Sequence, residues 1–188
     1  MEKHSGHLFD LYEHPKKGVV LWLVGEDGKP YSFHEDFETI FYARGTIEQL
    51  HELGVFIRGR YTKEVVSLKR VPKEDLFDGP LEVMGIGVCN PAIRKKLLRQ
   101  VQENFSNLIY YDIDVPLTVR YAVAHNVFMM AHCEITADPN GKVVSIWALD
   151  TPEELEPKLP LLRILSLKPN TDPFHTPPKY LVAKFGKA

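Results

Sequence analysis

Short apolar runs bounded by turn residues succeed one another along this chain, and a helical period interrupts them in three places. Residues 19–24 and 30–33 predict an opening hairpin, because Asp27-Gly28 between them suits the positive backbone angles of a tight turn. An aromatic and β-branched strand is predicted over 37–44. Thr46 and Gln49 have capping-box spacing, in which each side chain satisfies a free amide, so a helix starts there and Gly54 is expected to close it. Residues 55–61 and 64–71 read as extended, and 81–88 as a further strand after the Asp78-Gly79-Pro80 break.

Asn90-Pro91 starts the second helix: Asn accepts from the first free amides, and Pro lacks the donor that would go unpaired. Ile93, Leu97, Val101 and Phe105 recur at four-residue steps as its apolar stripe. Arg94, Lys95, Lys96 and Arg99 fall on the remaining surface, which ordinarily is a solvated face. A strand over 108–113 leads to a third helix over 115–125, capped by Asp114 and ended near Asn126. Residues 131–137 and 143–149 form a second hairpin around Asp138-Pro139-Asn140-Gly141, and the acidic, proline-bearing run 150–160 reads as a linker. From residue 37 the order is strand, helix, strands, helix, strand. That is the ferredoxin-like βαββαβ arrangement, an antiparallel sheet with helices on one face, and the fold class is α+β.

Composition narrows the chemistry. The 188 residues are 44% hydrophobic, enough for a core, and a net charge of -2 leaves nucleic-acid binding to local patches. Candidate phosphate contacts are Arg58, Arg60, Lys63, Lys69 and Arg70 on the middle strands, the Arg94–Arg99 face, and Arg120 with Tyr121. Arg120 has an equally good structural role as an ion-paired brace to Asp112 or Asp114, two carboxylates that share a face at strand spacing. Phe37, Phe41 and Tyr42 offer flat faces for bases, although strand aromatics are normally core and 81–88 carries none. Gly85-x-Gly87 lacks the third glycine of a dinucleotide fingerprint. The histidines have no zinc spacing, and His4 and His7 fall in a terminus expected to fray. His132 and Cys133 point to opposite faces of a strand, which disfavours a thiol nucleophile. Two cysteines make no secreted-type disulfide framework, and no apolar run reaches the roughly 18 residues of a membrane span. The expectation is a soluble, cytoplasmic protein without membrane partners, a metal site or a cofactor.

The run 110–121, Tyr-Tyr-Asp-Ile-Asp-Val-Pro-Leu-Thr-Val-Arg-Tyr, with 162–173 downstream, resembles the front end of a family B DNA polymerase. In that family an acidic-aromatic strand runs into Asp-x-x-Pro-x-x-x-Arg-Tyr, and a later apolar strand carries Asp-Ile-Glu, the first metal-binding motif of the proofreading exonuclease. Lys168, Pro169 and Asn170 stand at that motif here. An ammonium and a neutral amide cannot replace carboxylates as ligands for hard divalent ions, so no catalytic residue is expected. Mg2+ is implied only if the chain belongs to an active polymerase.

The resemblance implies an amino-terminal domain over 1–130, a hairpin and acidic linker over 131–160, and a truncated, degenerate exonuclease-like start over 161–188, whose second strand is 179–185. The hairpin before the exonuclease strand is more like the bacterial repair-polymerase branch. By the same resemblance, Arg120 matches the family's helix arginine, Val115 and Leu117 match walls of the pocket that senses uracil in archaeal members, and Pro91 matches a nearby loop proline. Thr39 and Ile40 replace a Pro-Tyr of that pocket, which removes part of its wall. The implied function is a non-catalytic module that contacts single-stranded template DNA and scaffolds other polymerase parts or subunits. The alternative is a ferredoxin-like protein-interaction or regulatory module with no nucleic-acid role.

Overall fold

The computed structural model describes residues 1–154, 158–160, 162–172 and 174–187. Its named strands pair into three antiparallel sheets accompanied by three helices. Leu161 at the expected strand start, Pro173 of the downstream run and linker residues 155–157 lie outside the described residues.

The first sheet has five strands in the order β3-β2-β1-β8-β9: β1 Glu2–His14, β2 Gly18–Gly25, β3 Pro30–Glu35, β8 His132–Ala137 and β9 Val143–Ala148. The predicted hairpins are β2–β3 and β8–β9, and β1 pairs with both β2 and β8. The expectation of a frayed start is therefore corrected. His7 is buried, and the His4 ring lies 4.9 Å from Tyr31 and 5.0 Å from Phe33. A strand bonded on both edges keeps its order even where His, Ser and Gly blur its alternation.

The second sheet, in the order β5-β6-β4-β7, is the ferredoxin-like unit. It comprises β4 Thr39–Arg44, α1 Ile47–Tyr61, β5 Val65–Asp75, β6 Gly79–Val88, α2 Pro91–Asn104 and β7 Ile109–Tyr111. Phe41, Ile86, Leu53, Ile57, Leu97 and Val101 close one core between the sheet and its two helices. The capping box at Thr46 and Gln49 and the Asn90 cap form as expected. Gly54 does not end α1, however, and 55–61 is helical rather than extended. Leu50, Leu53, Ile57 and Tyr61 keep the helical spacing through it, and a Cβ on Gly54 would stand 3.6 Å from Met84 Cε. Helix-to-sheet packing overrides the local preference of glycine.

The third helix, α3 Leu117–His125, packs Leu117 and Tyr121 into the core of the five-stranded sheet and ends at Asn126 in the left-handed conformation. Asp114 does not cap it: Pro116 holds the cap position, and Glu13 of β1 accepts from the Leu117 amide at 3.3 Å. The strand expected over 108–113 is only three residues long, because Asp112 turns to φ 60 immediately after it. A two-stranded sheet, β10 Arg163–Pro169 with β11 Leu181–Lys187, follows. No described helix is long and apolar enough to cross a membrane.

Candidate nucleic-acid interface

Two arginines converge on the bend between β7 and α3. Arg120 Nη1 donates to the Ile40 carbonyl at 2.8 Å, Nη2 donates to the Asp112 carbonyl, and Nε donates to the Val115 carbonyl at 3.5 Å. The Asp112 carboxylate lies 3.8 Å away. Arg94, expected on a solvated face, is only 6% exposed and donates to the Asp112 and Ile113 carbonyls, each at 3.3 Å. Burial, then the neighbouring Arg120 charge, lower the Arg94 pKa from its usual value. The helix stripe placed Arg94 outside because periodicity reads only the helix, whereas the 112–115 bend folds over that turn. Lys95 stays exposed and meets Glu13 at 3.1 Å, which fixes the carboxylate that caps α3.

The bend and Arg120 form one wall of a cleft of about 400 Å³ between β4 and α3. Thr39, Ile40, Val115, Val119, Arg120 and Val123 line it, with Val119 and Val123 exposed. Not all the predicted residues reach it. Leu117, Tyr121 and Pro91 are buried in the fold. Tyr121 has no exposed ring surface for a base, and its hydroxyl donates to Glu35 Oε2 at 2.8 Å. Its pKa is pushed well up, by burial first and the Glu35 charge second. Arg58 and Arg60 are exposed, but in the last turn of α1 rather than on a strand, with the Arg60 guanidinium 4.4 Å above the Phe56 ring.

The aromatics divide by strand parity. Phe41 faces the helices and is fully buried, and Phe37, which precedes β4, stacks edge-on against Tyr121 at 5.1 Å. Tyr42 points the other way, to the face without helices, directly opposite Tyr111 of β7. Lys69 and Lys73 share that face, since Lys69 pairs with Gly85 opposite Tyr42 and Lys73, paired with Leu81, keeps the same parity along β5. Sequence reading missed Tyr111 and Lys73. The alternation Ser67, Lys69, Val71, Lys73 was the available signal.

Lys168 lies on β10 opposite Val182. Asn170 plays a structural part, since its Oδ1 accepts from the Lys179 amide at 3.0 Å and the Tyr180 amide at 3.3 Å, tying the ends of the hairpin connection. Among the described residues, no group of three His, Cys, Asp or Glu gathers as a metal site would require. The buried Cys133 thiol is pushed up to about 12, by burial and then the Asp150 charge, which leaves it a poor nucleophile.

A ferredoxin-like sheet beside a five-stranded sheet, with a cleft between β4 and α3, defines an α+β protein. No protein-family model matches the sequence, and no curated protein matches it. Among solved structures the fold is similar to the family B DNA polymerase from the hyperthermophilic archaeon Pyrobaculum calidifontis, with a TM-score of 0.63 at 18% identity. The alignment covers 97% of this chain and 25% of that one, so the chain spans about a quarter of the polymerase it matches.

Proposed function

We propose that this chain is a non-catalytic, amino-terminal-type module of a family B DNA polymerase, which contacts single-stranded template DNA and scaffolds other polymerase parts. The observation that carries the reading is the fold likeness to such a polymerase across nearly the whole chain. The cleft beside Arg120 supports template contact: Val115, Val119 and Val123 offer apolar surface to a base, and the guanidinium, 15% exposed, offers positive charge at its edge. Arg120 is held mainly by carbonyls, and the Asp112 carboxylate at 3.8 Å offsets part of its charge, leaving the rest to meet a phosphate.

The scaffolding part draws on β10–β11. Leu165, Leu167, Leu181 and Phe185 alternate onto one face and are all exposed, the kind of surface another domain covers. Lys168 and Asn170 support a non-catalytic role, because neither can anchor a divalent ion. The β8–β9 hairpin ahead of β10 favours the bacterial repair branch within that family.

A salt series with labelled single-stranded DNA tests the reading. Binding should weaken steeply with salt, and added Mg2+ or Mn2+ should produce neither cleavage nor extension. Absence of binding even at low salt would leave a protein-interaction module; metal-dependent cleavage would restore an enzyme.

A further inference from the structure

The helices α1 and α2 cover one face of the four-stranded sheet, and the other carries a trough. Three cavities open along it, of about 400, 220 and 200 Å³, and Tyr42 lines all three. The largest is the cleft at Arg120. From Tyr42 the second continues over Ile40, Ser67 and Lys69, and the third continues to Lys73 and Tyr111. The floor is low because β6 supplies Gly85 and Gly87 opposite Tyr42 and Ile40. A Cβ on Gly85 would stand 3.3 Å from Ile40 Cγ2 and 3.4 Å from Tyr42 Cε1, so both side chains lie down across the strand.

Charge along the trough is unevenly committed. Glu38 accepts from the Ser67 hydroxyl, Asp75 accepts from the Phe77 and Asp78 amides, and Asp112 stands beside Arg120. Lys69 and Lys73 have no carboxylate within ion-pair distance among the described residues; the Lys73 ammonium instead sits 4.7 Å above the Tyr42 ring. Glu74 bounds the trough at the hairpin end. The result is a pair of tyrosines on a shallow floor with two available cations along one edge. A cation resting on an aromatic face is readily exchanged: a base takes the ring and the ammonium moves to a phosphate.

We propose that this trough is a second nucleotide subsite, in which single-stranded DNA leaving the Arg120 cleft lays bases on Tyr42 and Tyr111 and phosphates along Lys69 and Lys73. The proposal rests on the template-contact reading and extends it past the cleft. Continuity of the cavities through Tyr42 selects the same strand as the occupant of both.

The test is fluorescence anisotropy of the full chain with labelled oligodeoxythymidine of about 15 nucleotides, long enough to span both parts. Tyr42→Ala and the double change Lys69→Glu with Lys73→Glu should each weaken binding roughly tenfold, the scale of a lost base stack or of lost phosphate contacts. Tyr42→Phe should retain binding, because the ring is kept. Circular dichroism melts exclude unfolding as the cause, and the exposed lysines give a variant that does not touch the core. Wild-type binding unchanged in both the Tyr42→Ala and the lysine variants overturns the trough while leaving the cleft reading intact. No binding by the wild type overturns both. Tighter binding of the matching oligouridylate overturns the assignment to DNA.

Discussion

The β4–β6 pair and the β10–β11 pair are both antiparallel and both rich in aliphatic residues, yet they end in opposite circumstances. Phe41 of β4 and Ile86 of β6 face each other under two helices and are fully buried. Leu165 and Phe185 also face each other, but they are 59% and 70% exposed. An apolar strand becomes core only where a second layer covers it, and a lone two-stranded sheet is marginal in water. The contrast assigns stability to the first two sheets and leaves the apolar face of β10–β11 exposed.

The contrast is broken most directly by truncating one residue in each pair. Phe41→Ala should cost about 3–5 kcal/mol, because it empties a volume between sheet and helices. Leu165→Ala should fall within about 0.5 kcal/mol. Urea denaturation of both variants measures the difference. Native-state hydrogen exchange sharpens it: amides of β10 and β11 should exchange at least roughly tenfold faster than those of β4 and β6. Equal protection of the two pairs would remove the distinction.

A smaller effect separates two cations. Arg120→Ala should cost about 1–3 kcal/mol, since it strips a donor from the Ile40, Asp112 and Val115 carbonyls. Lys168→Ala, on the exposed hairpin, should be near neutral. Thermal melts compare them. A destabilised Lys168 variant would mean that the hairpin side chains are engaged after all.

Two side-chain caps on backbone amides give the next contrast. Glu13→Ala should cost about 1 kcal/mol of global stability, because α3 loses its distant cap. Asn170→Ala should leave the melt unchanged and raise exchange only at the Lys179 and Tyr180 amides.

The sequence made the second sheet readable because its elements follow in βαββαβ order and each carries its own local signal, a capping box, an Asn-Pro start or a Gly-bearing turn. It hid β1, whose order comes from partners far along the chain: Glu2 to His7 pair with residues 132–137. The α3 cap was hidden for the same reason, since Glu13 and Leu117 are remote in sequence. At the candidate site Arg120 was legible from its motif, and so was its Asp112 partner at 3.8 Å, but the Ile40, Asp112 and Val115 carbonyls were not, because backbone carbonyls leave no trace in side-chain spacing. Arg94 and Tyr121 looked available for a ligand and are buried, whereas Tyr111 and Lys73 reach the open face through strand parity that depends on the exact register.

The smallest effect concerns pH, and it again belongs to the covered layer. Tyr110, on the helix side of β7, donates its hydroxyl to the Val101 and Phe105 carbonyls, each at 3.0 Å, and burial pushes it up to about 12 from an ordinary 10.0. The folded state therefore holds this proton over a range in which the unfolded chain releases it. Tyr110 contributes its full stabilisation below about pH 10 and loses it as pH rises toward about 12. Buried Tyr121 and Cys133, whose pKa values are also raised, add to the same alkaline decline. Tyr110→Phe should lower stability by about 1 kcal/mol at neutral pH through its lost hydrogen bond, yet fall less steeply between about pH 10 and 12. Urea midpoints measured across that range give the two slopes, and parallel slopes would show that the Tyr110 proton is not held by the fold.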